Sequence, residues 1–169
     1  FLALTTAVVA GLAISGGALI LWMDVPLLEY AGIMLTSLFL GASFLAMAFL
    51  LSILAREPAR ALATSILVWI FFVFLFDLIL IGTLIASKGD VSDTLFRVLL
   101  MLNPADVFRI LSFNWVEGAV PSLGMAAAGV DPPTSSLLWA VMSAWIVVPA
   151  SVGLWIFRRR VAADALVRS

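Results

Sequence analysis

The chain has 169 residues, of which 64% are hydrophobic and 11% charged, with nine Lys and Arg against ten Asp and Glu and a formal net charge of −1. Its mean hydropathy of +1.24 lies far outside the soluble range, where charged residues alone make up about a quarter of the chain, so lipid is its solvent. The near-zero net charge excludes a nucleic-acid surface, and the absence of Cys and His removes thiol nucleophiles, disulfides, imidazole bases and the usual zinc and copper ligands.

A spanning helix needs about 20 mainly apolar residues. Four stretches qualify, at about residues 1–23, 30–55, 61–87 and 134–157, so the fold class expected is an all-α, polytopic transmembrane bundle forming a single domain over 1–169. The first stretch opens on Phe1 with no initiator Met and no basic leader, which does not fit a signal peptide, and a preceding N-terminal part is expected. Gly11 and Ser15 in the first span, and Gly32 with Thr36 and Ser37 with Gly41 in the second, set small residues at four-residue steps that let another helix approach closely.

The second and third spans are joined by a short charged loop, Ala55-Arg56-Glu57-Pro58-Ala59-Arg60. In the third span the aromatic run Trp69 to Phe76 reads as lipid-facing or core bulk, and Asp77 is the one charge. Asp77 lies about 13 Å along the helix from its end at Ala86, and a carboxylate in hydrocarbon must be paired, hydrated or protonated. Two readings stay open for it: a transport path or proton relay, or a helix-to-helix hydrogen bond with Arg97 or Arg109.

Residues 88–133 are too many for a simple connector and too apolar for a soluble domain. The runs Val98–Leu102 and Val107–Phe113 are too short to cross, so the region reads as an interfacial or re-entrant element. Asn103-Pro104-Ala105-Asp106 has the chemistry of a helix start, with Asn as N-cap, Pro at the first helical position and Asp near the positive helix end, which makes a helix-break-helix. The Gly- and Ala-rich stretch within 114–133 sets no conformation.

Arg56, Arg60, Arg158, Arg159, Arg160 and Arg168 fall on one side of this layout, against Lys88, Arg97 and Arg109 on the other. Basic residues are retained inside, which puts both ends of this piece in the cytoplasm. Arg56, Glu57 and Arg60 read either as ordinary anchoring or as a contact for a cytosolic partner. There is no Gly-rich phosphate loop, nucleophile triad or paired carboxylate at catalytic spacing, so no catalytic residue, metal or bound cofactor is expected, and energised work needs a second subunit.

Arg56-Glu57-Pro58-Ala59-Arg60-Ala61-Leu62, the aromatic helix with Asp77-Leu78, Leu102-Asn103-Pro104-Ala105-Asp106-Val107-Phe108-Arg109 and Phe157-Arg158-Arg159-Arg160 together resemble permease subunits of the ABC-2 exporter class. Within that class the chain looks most similar to the Nos-type permease of the nitrous oxide reductase maturation transporter. The resemblance implies a six-span permease of the bacterial inner membrane, represented here by its last four spans, with residues 88–133 as the extracytoplasmic re-entrant element. It also implies that the Arg56–Arg60 loop faces an ABC ATPase carrying ATP and Mg, that two permeases pair with two ATPases, and that a periplasmic β-helical accessory protein docks outside. The work implied is export of a substrate such as a sulfur species, or mechanical signalling to that partner, for assembly of the reductase's copper–sulfur site. A general ABC-2 exporter of lipid, drug or polymer, and a membrane assembly factor that moves nothing, are the alternatives. The lack of His and Cys argues against copper conduction, and Met101, Met125 and Met142 are more in keeping with packing than with copper(I) ligation.

Overall fold

In lipid every backbone N–H and C=O must find its partner within the protein, so long apolar stretches without turn residues become helices. The computed structural model describes residues 26–55, 57–88, 91–115 and 133–167, with six isolated residues between 6 and 17. All regular structure among the described residues is helical.

Helix α1 (Leu27–Leu54) follows Pro26 and places Glu29 in its first turn, near the positive helix end. Helix α2 (Pro58–Ile70) starts with Pro58 in its first turn, where a missing N–H costs nothing. It runs without a break through a π turn, Phe71–Leu75, into α3 (Phe76–Ala86). Lys88 then ends the run in the left-handed region, at φ 53°. Helix α4 (Asp93–Met101) is capped by Ser92, whose Oγ accepts from the Leu95 amide at 3.3 Å. Helix α5 (Pro104–Phe113) follows after two residues, and α6 (Ser135–Val167) closes the chain.

Among the described residues, three helices are long and apolar enough to cross a membrane: Leu27–Leu54, Pro58–Ala86 and Ser135–Ala163. They correspond to the spans expected at 30–55, 61–87 and 134–157. The span expected at 1–23 lies outside the described residues, apart from the six isolated positions, each of which is helical. The last helix does not stop at Phe157. Arg is a good helix former, and the triplet finds partners locally: Arg159 stacks over the Trp155 ring at 3.9 Å, and Arg160 donates to the Ile53 carbonyl. Charge thus ends the apolar span without ending the helix.

Helices α1 and α6 lie side by side and run in the same direction, since Arg160 near the end of α6 meets Ile53 near the end of α1. Gly153 makes this possible, because a Cβ there would stand 3.0 Å from the Phe49 ring. The small residues of α1 serve a different neighbour. Gly32 takes the Trp115 indole, which would lie 2.1 Å from any Cβ, and Thr36 meets Ser112 at 3.1 Å. The Gly32–Thr36 face therefore receives the end of α5, whereas Gly41 faces open space.

Most hydroxyls are neutralised within their own helix. Ser37, Ser43, Thr64, Ser65, Thr83 and Ser143 each donate to the carbonyl four residues earlier. The buried core gathers where the α4–α5 hairpin meets α3 and the start of α6, around Leu80, Phe96, Leu100, Val107, Ile110, Leu111, Leu138 and Met142. Met142 is fully buried there and is a packing residue; Met125 lies outside the described residues.

Candidate functional site: a polar clasp at a π turn

The α4–α5 hairpin is fixed at both ends of α5. At its start, the Trp145 Nε1 donates to the Met101 carbonyl at 3.2 Å; at its finish, Asn114 reaches Ser135 at 3.3 Å. Trp145 lies about 15 Å along α6 from Ser135, and a ten-residue helix is about as long, so α5 runs beside the first part of α6. Its tip, Asn103, bonds to Phe72, near the middle of the 29-residue run Pro58–Ala86. The hairpin therefore reaches the middle of that helical run.

Asn103 is fully buried and makes three bonds at that tip. Its Oδ1 accepts from the Ala105 amide at 3.0 Å, capping α5; its Nδ2 donates to the Phe72 carbonyl at 3.0 Å and to Asp106 Oδ2 at 2.8 Å. Pro104 beside it supplies the first helical residue and no orphan donor. One turn further on, Arg109 Nη1 donates to Asp77 Oδ2 at 2.6 Å and to Asp106 Oδ1 at 2.8 Å, while Nη2 donates to the Val73 carbonyl at 3.3 Å. Asp77 is thus paired with Arg109. Arg97, the other basic residue offered for it, has no carboxylate partner among the described residues, and its buried Nε is unsatisfied there.

The second half of the clasp is backbone. A π turn is wider than an α turn, with bonds from residue i to i+5, here from the Phe76 amide to the Phe71 carbonyl. The two side-chain donors from α5 land on the carbonyls of Phe72 and Val73, both inside that turn. The Phe72 ring packs edge-on against Trp145 at 5.4 Å and Phe44 at 6.5 Å, so the turn is held by aromatic contact on one side and polar contact on the other. Phe71 and Phe74 are exposed, in keeping with a lipid-facing surface rather than a ligand cage.

One guanidinium serves two carboxylates, which leaves the cluster one negative charge in excess.

At the start of the helical run Pro58–Ala86, Glu57 and Arg60 form an exposed pair at 3.3 Å, and Arg56 lies outside the described residues. Exposed pairs contribute about 0–1 kcal/mol, so these side chains are free to exchange partners. Between α1 and α2 a groove of about 200 Å³ is lined by Phe44, Met47, Leu51, Ile66 and Trp69, with the Ser65 hydroxyl turned back to Ala61. It offers no polar contact for a charged substrate.

A family model described as ABC-2 family transporter protein matches residues 1–161. The chain belongs to the ABC-2 transporter family. This ABC-2 chain is similar to a probable ABC transporter permease protein NosY of Stutzerimonas stutzeri, 38% identical over 128 residues, covering 75% of this chain and 46% of the relative. A protein of the same description from Pseudomonas aeruginosa is 36% identical over 125 residues, covering 74% of this chain and 46% of the relative. The aligned part thus spans slightly less than half the length of these permeases. The spanning helices and the family together make the ABC-2 chain a multi-pass membrane protein, related to transport subunits rather than to enzymes.

Proposed function

We propose that the chain is part of a NosY-type permease, in which the Arg56–Arg60 loop takes up movement from an ABC ATPase and the helical run Pro58–Ala86 carries it to the α4–α5 hairpin. The observation that carries this reading is continuity. Pro58–Ala86 is one helical run whose first turn holds Arg60 and whose middle is clasped by Asn103 and Arg109, so displacement at the loop reaches the hairpin through a stiff element. Differential contact of the ATPase with two bundle arrangements supplies the drive, since a partner shifts an equilibrium only by what it binds differently.

In this reading ATP and Mg sit on the ATPase, and the basic ends at Arg60 and Arg158–Arg160 lie in the cytoplasm of a bacterial inner membrane. The hairpin then faces the periplasm, where an accessory β-helical protein reads its position. A second permease copy covers part of the apolar surface that Pro58–Ala86 exposes, at Leu62, Leu67 and Leu78 among others. The output is export of a sulfur species, or a mechanical signal, used to mature the copper site of nitrous oxide reductase.

The test is purification of the complete protein from its native membrane in mild detergent, with mass spectrometry of what accompanies it. Recovery of an ABC ATPase together with a periplasmic β-helical protein is expected. An ATPase alone reduces the reading to a general exporter, and neither partner refutes it.

A further inference from the structure

We propose that the π turn Phe71–Leu75 is a two-register joint, held in its wide form by Asn103 and Arg109 and able to close to an α turn when they let go. A π turn holds one residue more than the α turn it replaces. Closing it in a chain of fixed length shifts the following helix by one residue, about 1.5 Å along and about 100° around the axis. α3 would turn by that amount, and Asp77, its second residue, would swing away from Arg109.

The contacts make the two events one. Arg109 holds the Val73 carbonyl with Nη2 and Asp77 with Nη1, so the same guanidinium grips the turn and the helix beyond it. Asn103 holds the Phe72 carbonyl while capping α5, so the hairpin cannot withdraw without releasing the turn. When Arg109 loses Asp77 it keeps Asp106, at 2.8 Å, which supplies a resting partner for the second register. Nothing in the local sequence demands the π form, since Ile70 to Phe76 contains neither Pro nor Gly. Outside donors stabilise it, and packed elements with two discrete arrangements are what convert small displacements into large ones. Use of the joint in transmission rests on the permease reading above; its existence does not.

Residues 1–169 contain no Cys, so once any Cys elsewhere in the full-length protein is replaced, a single-cysteine nitroxide scan of Leu78–Ile85, with Leu62–Trp69 as the fixed reference, can be run in nanodiscs. Oxygen accessibility should follow a helical period in both segments. In Asn103→Ser, which keeps a capping oxygen but loses the long donor, the pattern over Leu78–Ile85 is expected to move by one residue while the reference stays in place. Deleting Phe74, an exposed residue of the turn, makes an α-helix in the original phase, and the same Asn103→Ser change should then have no effect. Identical phase in the parent protein and in Asn103→Ser overturns the joint. Asn103→Asp, which keeps the cap and also loses the donor, must give the same answer, which guards against local unfolding as the cause. Repeating the scan with the ATPase and trapped nucleotide separates the two claims: a shift in the variants without one across nucleotide states upholds the joint and removes its ATP-driven use.

Discussion

Removing Arg109 tests the clasp most directly. Arg109→Leu loses bonds of 2.6 Å and 2.8 Å to two carboxylates and one of 3.3 Å to Val73, and leaves Asp77 and Asp106 facing each other with no cation between them. Breaking a buried pair by deleting one partner costs about 3–5 kcal/mol, most of it from the charge left behind. The Asp106 side chain is 8% exposed but Asp77 and Arg109 are about a third open, so the lower part of that range, about 3 kcal/mol, is expected. Asp77→Asn keeps an acceptor and removes the excess charge, at a cost of about 1 kcal/mol. The double variant should therefore be more stable than the sum of the two by about 1–2 kcal/mol, as expected for contacting residues. The assay is thermal unfolding of the purified protein in detergent, followed by loss of the monodisperse peak. Strict additivity would show that Arg109 and Asp77 do not interact, and with it the clasp would fall.

Other outcomes follow from single contacts. Gly153→Ala should be tolerated or mildly destabilising, because a Cβ at 3.0 Å from Phe49 requires only a small ring shift, whereas Gly153→Leu should separate α1 from α6 and lower the melting temperature sharply in the same assay. Trp145→Phe keeps an aromatic ring against Phe72 but strips the donor from the Met101 carbonyl; a loss of about 1 kcal/mol and faster hydrogen exchange in α4 are expected. Reversing charge at Arg56 and Arg60 together should abolish ATPase binding in a pull-down and leave the melting temperature nearly unchanged, because the Arg60–Glu57 pair is exposed.

The parts of the fold legible in the sequence are those that lipid dictates locally. Uninterrupted apolar length marks the Leu27–Leu54 and Pro58–Ala86 helices to within about three residues and the start but not the end of the last helix, and Asn103-Pro104 marks the start of α5 because a cap acts within one turn. Asp77 stands out because a carboxylate in hydrocarbon needs a partner. Which partner is a tertiary matter: Arg97 and Arg109 are equally basic, and only the placement of α5 against the π turn selects Arg109. One signal did point to it, since Arg109 follows Asp106 by three residues on the face that begins at the cap. The π turn has no such signal, because it depends on donors offered by a distant segment, whereas the persistence of α6 beyond the Arg triplet follows from Arg being a good helix former and from the Arg159–Trp155 stacking one turn back.

The chemistry of the clasp bears on why it is polar at all. A hairpin that only had to stay in place would be held as well by Leu and Phe, and the core around Leu111, Leu138 and Met142 already does this for the outer half of α5. Buried ion pairs add little net stability over apolar packing of the same volume. What they add is direction and choice: Arg109 reaches two carboxylates and a carbonyl from one position, and can give up one while keeping another. Apolar packing dominates where α5 meets the start of α6, and charged, exchangeable contacts are gathered where it meets the π turn and Asp77. That division places the adjustable part of the molecule on the single helix that connects the Arg60 loop to the hairpin, which is where a permease that transmits movement requires it.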